Sequence, residues 1–261
     1  MALYFASARW GDGPGTYAYR DEADGILRTM LHKESEPGQG IVSNMFDAGE
    51  KLVAFVPEVP GNSFTDPSYQ VPHYYELWGR WARQDKRFWC DAAAAGRRLL
   101  QRAAHPVTGL SPDYSAFNGT PFDPYGRGHA DFRFDAWRVA MNVAVDWVWF
   151  GRDAWAVTQS NRLLRFFHEQ GVRTHGNQYT LEGRKLGNDH SAGLVAMNAV
   201  AALAATSDIR REFVEELWNT PVPAGHYRYY DGMLYMLGLL QVSGNFRMYD
   251  LAGRTKPGCP E

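Results

Sequence analysis

The sequence predicts an all-α fold whose helices form two concentric layers, an α/α toroid, with one small β-hairpin inserted into it. Along most of the 261 residues, apolar side chains recur at the spacing of a helix face. Segments 137–150 and 193–205 are apolar on nearly all sides, which predicts burial, whereas 208–218 carries one polar face. Buried helices that alternate with amphipathic ones favour an inner ring covered by an outer ring over a four-helix bundle.

The predicted elements follow from these patterns in chain order. The apolar segment 1–8 is interpreted as part of a core helix, and a one-face stripe over 23–31 predicts the next helix. The hairpin is predicted from segments 44–46 and 51–56, which flank a turn. We expect one helical domain over 1–249, followed by a flexible tail over 250–261. Further helices are predicted over 73–82, 86–104, 132–150, 154–170, 191–206, 208–219 and 229–243.

Composition and charge narrow the classes of partner. The 27 Lys and Arg residues nearly balance the 29 Asp and Glu residues, so no net field favours nucleic acid or an anionic membrane surface. No segment approaches the roughly 18 apolar residues of a membrane span, and the first residues lack the basic start of a signal peptide. We therefore expect a cytoplasmic protein that binds neither nucleic acid nor membrane, while the sequence indicates no oligomeric state.

Cysteine and histidine usage argues against disulfides and metal centres. Cys90 and Cys259 lie far apart in the chain and match neither a disulfide framework nor a metal-ligand spacing, which predicts reduced thiols. No two of the eight histidines show the i, i+4 spacing of a helical zinc site. The sequence therefore predicts no metal and no cofactor.

Aromatic side chains and carboxylates share the connecting segments. Many of the 9 Trp, 14 Tyr and 14 Phe residues stand beside Gly, Pro and Asp, and such surfaces suit the apolar faces and hydroxyls of pyranose rings. Asp66 precedes Pro67, a pattern that also fits a helix N-cap. Asp135 stands at the start of a buried helix, where a capping role and a general-base role look alike, and Asp131 competes with it.

Several ordered motifs carry a resemblance to a known family. They are FTDPSY at 64–69, HPVTGL at 105–110, FDAWRVAMN at 134–142, GLVAMNA at 193–199 and RYYD at 228–231. With these motifs the chain resembles glycoside hydrolase family 8, and within it the exo-acting enzymes that release xylose from the reducing end of oligoxylans. The resemblance implies an (α/α)6 barrel that binds β-1,4-linked xylo-oligosaccharides and cleaves them with inversion, without a cofactor or metal.

The resemblance also implies roles for individual residues. Asp135 matches the general base, and Tyr69 matches the residue that hydrogen-bonds the attacking water. The residues implied to bind the sugar or to orient the base are Phe134, Tyr230 with its neighbour Tyr229, the loop residue His190, Arg138 and Asp66.

Two departures from the family pattern lead to further expectations. The family's Leu-His-Pro pattern is not kept around His190, which is flanked by Asp189 and Ser191, so endo-acting xylanase or glucanase activity stays an alternative. The Glu-Gly-x-x-Tyr-Gly-Met stretch that holds the family's general acid, and its Pro-Asp-Gly stretch, are both absent. We therefore expect an N-terminally incomplete barrel that lacks the general acid, with a catalytically silent carbohydrate-binding fragment as the alternative.

Overall fold

A computed structural model describes residues 1–35, 42–250 and Cys259. The predicted all-α class is confirmed, because helices make up most of the regular structure of these residues. The helices are α1 (Ala2–Trp10), α2 (Tyr19–His32), α3 (Pro72–Trp81), α4 (Lys86–Ala103), α5 (Trp137–Phe150), α6 (Trp155–Glu169), α7 (Ala192–Ala201), α8 (Arg210–Asn219) and α9 (Arg228–Val242). Two short strands, β1 (Gln178–Tyr179) and β2 (Lys185–Gly187), form an antiparallel sheet.

Helix positions agree with the periodicity to within a few residues at most ends. The exceptions are the start of α5, where Phe134–Ala136 forms a separate 3-10 turn, and the end of α7 at Ala201. Helix periodicity is a local property, so the sequence is sufficient to place these elements. Of the predicted tail 250–261, only Asp250 and Cys259 fall among the described residues.

The predicted hairpin pairs as expected but forms no regular strands. Phe46 and Val53 make an antiparallel bridge, supported by a 2.9 Å hydrogen bond from the N–H of Ala54 to the carbonyl of Met45. The two-stranded sheet lies instead at β1 and β2, which the sequence did not indicate. Strands of two and three residues are too short to show the alternation on which strand prediction depends.

The backbone forms two compact units. The single helical domain over 1–249 stays a prediction. The described residues of Met1–Thr65, Val71–Arg97 and Met248–Glu261 form the first unit. Asp66–Gln70 and Arg98–Arg247 form the second. Residues that are distant in sequence thus join one unit, which composition does not reveal.

The first unit has an aromatic core around α3 and α4. The ring of Phe46 meets Tyr75 and Trp89 edge to face, with centroid distances of 5.4 and 5.2 Å. Offset and edge-to-face aromatic pairs add to the stabilisation from burial. Glu76 of α3 is fully buried in this unit and pairs with Arg80 and Arg97.

The prediction of two reduced thiols is wrong, because Cys90 and Cys259 form a disulfide in the first unit, with Cα atoms 5.2 Å apart. The bond packs over Gly79, where a Cβ would lie 2.7 Å from Sγ of Cys90. A separation of 169 residues hides such a pair, since only packing brings the segments together. The cytoplasmic location stays a prediction.

Helix α7 forms the centre of the second unit. Every residue from Gly193 to Ala201 is buried, as the unbroken apolar segment predicts, and α7 contacts α5, α6, α8 and α9. Gly238 of α9 permits a close approach to α7, because a Cβ at this position would lie 2.8 Å from that of Ala196. The candidate functional residues stand on segments that surround this core.

Candidate active site

The segment 66–70 of the second unit begins with the predicted helix cap. The carboxylate of Asp66 accepts the N–H of Ser68 at 2.7 Å, and Pro67 occupies the first position of the 3-10 turn Pro67–Tyr69. This confirms the capping interpretation of Asp66. Asn142 of α5 donates its side-chain amide to the carbonyls of Ser68 (2.7 Å) and Gln70 (3.0 Å), which fixes the segment against α5.

Asp135 does not cap α5, so that alternative for its role is wrong. The residue lies within the 3-10 turn Phe134–Ala136, and Ala136, which precedes α5, provides no side-chain cap. The Asp135 side chain keeps 32% of its surface exposed and accepts a charged hydrogen bond from Nη2 of Arg138 at 3.0 Å. A partly exposed carboxylate beside a cation is accessible to a water molecule, as a general base requires.

Arg138 joins the two motifs. Its Nη2 atom lies 3.5 Å from Oδ2 of Asp66 and donates to Oγ of Ser68 at 2.8 Å. The guanidinium also lies over the ring of Tyr69, 5.6 Å from its centroid. Asp66, Tyr69, Arg138 and Asp135 therefore converge, as the sequence motifs predicted.

Tyr230 of α9 contacts the turn that carries Asp135. Its hydroxyl donates to the carbonyl of Phe134 at 2.8 Å and lies 3.4 Å from Oδ1 of Asp135. The ring packs against Trp137, 5.8 Å between centroids, while the Phe134 ring stays partly exposed. This arrangement gives the Asp135 carboxylate a hydroxyl neighbour and presents an aromatic face next to it.

Burial and charge set the protonation of the groups around Arg138. Burial raises the pKa of Asp66 to about 8, and the charge of Asp135 adds to this, although Arg138 lowers it. Burial likewise raises the pKa of Tyr69 and of Tyr230. Asp66 therefore retains much of its proton at neutral pH. The shorter ion pair of Arg138 is the one with Asp135, at 3.0 Å.

A cleft of about 1020 Å³ opens in front of Asp135. Its size is in the range of sites that bind small ligands or short oligomers. Both aromatic and polar side chains line it, which suits the apolar faces and hydroxyls of sugar rings. The lining includes Phe134, Asp135, Trp137, Asn177, Gln178, Asp189, His190, Ser191, Glu216, Tyr227, Tyr230 and Asp231.

His190 lines this cleft but Tyr229 does not. Nδ1 of His190 donates to the carbonyl of His175 at 3.0 Å, and its Nε2 lies 3.7 Å from Oε1 of Glu216. Tyr229 is 80% exposed and does not line the cleft that its neighbour Tyr230 enters. Successive helix residues point about 100° apart, which explains the difference.

Sequence reasoning missed Asp113, which the structure brings to the same turn. This carboxylate is buried, accepts the N–H of Asp135 at 3.1 Å and bonds to Nδ1 of His129 at 2.7 Å. It stands in a connection without a periodic pattern, and only its position after a proline marks it. The competing Asp131 instead has Arg133 and Arg184 as its cationic neighbours.

Within residues 1–35, 42–250 and 259, no group of three or more His, Cys, Asp or Glu side chains could hold a metal ion. No helix of that part of the chain has the length and apolar character to cross a membrane.

The comparison with protein families matches residues 1–244 to glycosyl hydrolases family 8. The reducing-end xylose-releasing exo-oligoxylanase Rex8A of Paenibacillus barcinonensis is 47% identical over 255 residues, which are 95% of this chain and 65% of that protein. The reducing end xylose-releasing exo-oligoxylanase of Halalkalibacterium halodurans is 40% identical over 255 residues, 95% of this chain and 63% of that protein.

A solved structure is similar over the same part of the chain. The crystal structure of a GH8 xylobiose complex from Teredinibacter turnerae has a TM-score of 0.90 at 44% identity, and the match covers 95% of this chain and 65% of that one. This similarity confirms the predicted (α/α)6 fold class. The chain spans 63–65% of the length of these three proteins.

Proposed function

The chain belongs to family 8 of the glycosyl hydrolases, and we propose that it acts on β-1,4-linked xylo-oligosaccharides with inversion, with Asp135 as the general base. The observation that carries the proposal is the exposed Asp135 carboxylate, which faces the cleft with Arg138 and Tyr230 against it. The substrate class is supported by two relatives named as oligoxylanases and by the xylobiose bound to the structural neighbour.

Asp135 takes a proton from water while the water oxygen attacks the anomeric carbon. Arg138 stabilises the anionic form of Asp135, which keeps the base ready to accept this proton. Tyr69 lies against the same guanidinium, and its hydroxyl hydrogen-bonds the attacking water. The leaving oxygen receives a proton from a separate carboxylic acid, and we assign no residue of this chain to that step.

His190 contacts the reducing-end sugar at the cleft wall, which favours release of xylose from that end. Its bond to the carbonyl of His175 and its position beside Glu216 orient the ring. An open cleft on this side would instead permit endo-acting cleavage. Asp189 and Ser191 flank His190 in place of the family's Leu and Pro, which favours this alternative.

A second candidate function is carbohydrate binding without turnover. The observation that favours it is the absence of the family's Glu-Gly-x-x-Tyr-Gly-Met stretch from the sequence, combined with an intact cleft. General acid catalysis contributes about 10²–10⁴-fold, so natural glycosides would then turn over very slowly.

An activated substrate allows the role of the general base to be measured without a general acid. In β-xylobiosyl fluoride the leaving fluoride needs no general acid, so the base alone limits the reaction. We expect the 261-residue chain to release fluoride and to produce α-xylobiose, identified by proton NMR of the first-formed anomer. Asp135→Asn lowers kcat/KM about 10²–10⁴-fold, whereas the matched variant Asp131→Asn keeps it.

Calorimetric titration with xylobiose completes the experiment. Heat of binding without fluoride release supports the silent binding function, and β-xylobiose as the first product contradicts inversion. Equal activity of Asp135→Asn and the wild type excludes Asp135 as the base. Xylotriose and xylohexaose, compared by their first products, separate xylose release from internal cleavage.

A further inference from the structure

Asp113 is a buried carboxylate that none of the sequence motifs includes. It is 3% exposed, and each of its oxygens has a distinct partner. Oδ1 accepts the backbone N–H of Asp135 at 3.1 Å, and Oδ2 accepts Nδ1–H of His129 at 2.7 Å. Burying a carboxylate costs free energy unless it is hydrogen-bonded, so these two bonds account for its presence here.

Tyr114, the residue that follows Asp113, holds His129 in position. The imidazole stacks on the ring of Tyr114, with centroids 4.1 Å apart and planes at 10°. The main chain pairs as well. The N–H of Tyr114 donates to the carbonyl of His129 at 2.8 Å, and the N–H of Asp113 donates to the carbonyl of Asp131 at 2.9 Å. These contacts fix the geometry of the Asp113–His129 pair.

Main-chain hydrogen bonds attach the turn that carries Asp135 both before this residue and at its own N–H. Before it, Phe132 exchanges two main-chain hydrogen bonds with Tyr179, at 2.9 and 3.0 Å. At Asp135 itself, the backbone N–H is bonded to Asp113 and not to a helix carbonyl. Rotation of this peptide would move the carboxylate away from Arg138, so Asp113 controls where the base lies.

We propose that Asp113 and His129 form a positioning pair, in which His129 orients the Asp113 carboxylate and Asp113 holds the backbone of Asp135. The proposal rests on the proposed function, because it assigns importance to the position of Asp135 as the base. Neither residue touches the reacting atoms; both act through Asp135. Their effect therefore falls on kcat, since a misplaced base lowers the rate without removing contacts to the sugar.

Variants at His129 separate positioning from folding. His129→Asn retains a side-chain N–H near the place of Nδ1, whereas His129→Leu removes it at similar volume. We expect His129→Leu to lower kcat for β-xylobiosyl fluoride about tenfold with KM unchanged, and His129→Asn to restore most of it. Asp113→Ala, which removes both bonds, lowers kcat about a hundredfold.

Amide hydrogen exchange gives a readout that is independent of activity. We expect the Asp135 N–H, followed by NMR, to exchange faster in Asp113→Ala and in His129→Leu, while His129→Asn keeps the wild-type rate. Unchanged exchange in both of the first two variants, or unchanged kcat in His129→Leu, overturns the proposal.

The two proposals fail in different ways. A wild-type chain that releases no fluoride contradicts the proposed function, and the exchange rates then still decide whether the pair holds the turn. If Asp113→Ala does not fold, Asp113→Asn is used instead. Its Oδ1 still accepts the Asp135 N–H while its amide nitrogen cannot accept from His129, so it should match His129→Leu in kcat and in exchange rate.

Discussion

Each unit of the molecule buries a carboxylate beside arginine, with opposite balances of charge. In the first unit, Glu76 is fully buried and lies 3.3 Å from Arg80 and 3.2 Å from Arg97, so one anion meets two cations. In the second unit, the single guanidinium of Arg138 lies within 3.5 Å of both Asp66 and Asp135.

The same residue types thus serve structure in one place and chemistry in another. An anion with surplus cations is fully compensated. Where carboxylates outnumber cations, compensation is incomplete: burial raises the pKa of Asp66 to about 8, while Asp135 lies partly exposed at the cleft. A charge deficit of this kind is typical of a reactive site.

The largest effect is expected from removing the buried anion of the first unit, which two arginines share. Glu76→Ala removes the shared anion of Arg80 and Arg97 and lowers the free energy of unfolding by about 3–5 kcal/mol. Urea denaturation monitored by tryptophan fluorescence measures this change. The matched variant Glu212→Ala removes an exposed partner of His168, and we expect less than about 1 kcal/mol from it. Similar losses in the two variants would remove the structural role assigned to Glu76.

The disulfide gives the next largest effect and concerns the same unit. Cys90→Ser lowers the free energy of unfolding by about 2–4 kcal/mol, because the unfolded chain gains freedom when residues 90 and 259 are no longer joined. Urea denaturation with and without dithiothreitol checks this. The reductant should shift the wild type and leave Cys90→Ser unchanged, and a wild type that does not respond would contradict a formed bond.

Arg138→Leu tests the second unit, where one arginine lies beside two carboxylates. Removal of the guanidinium next to Asp135 lowers kcat for β-xylobiosyl fluoride about 10²-fold, since a preorganised charge is lost. Fluoride release at saturating substrate measures this change. Arg133→Leu, on the same segment, is the control and should keep the wild-type kcat. An unchanged kcat in Arg138→Leu would contradict the role assigned to Arg138.

The smallest effect concerns the proton on Asp66. With a pKa of about 8 in the folded protein, above its ordinary value, Asp66 binds more proton in the folded than in the unfolded state. Its contribution to stability is present at acidic pH and is lost as pH rises through about 8. Asp66→Asn should therefore gain on the wild type by on the order of 1 kcal/mol in unfolding free energy between pH 7 and 8. A pH-independent difference would show that Asp66 is ionised throughout.

Much of the site was predictable because its motifs are local. The cap at Asp66 depends on residues within the next few positions, and the spacing of Asp135 and Arg138 puts them on one helical turn. The helices likewise follow from periodicity, which is read within single segments. The family motifs added the role of Tyr69, which no local rule provides.

Other parts of the site could not be predicted from local rules. Asp113 is 22 residues from Asp135 and has no pattern around it, so its bond to the Asp135 N–H is visible only in the folded chain. The orientation of Tyr229 away from the cleft depends on the rotation of α9 against α7, which packing decides. The short strands β1 and β2 are similarly defined by their pairing.

By itself the sequence determined the helical class, the helix positions and the motifs that carry Asp66, Tyr69, Asp135 and Arg138. Tertiary structure decided that Ser68 meets Arg138 across 70 residues, and that Cys90 meets Cys259 across 169. Local patterns reflect hydrogen bonding and apolar spacing within a few residues. Contacts between distant segments depend on how whole helices pack. This packing gives Glu76 two arginine partners, whereas Asp135 shares one arginine with Asp66.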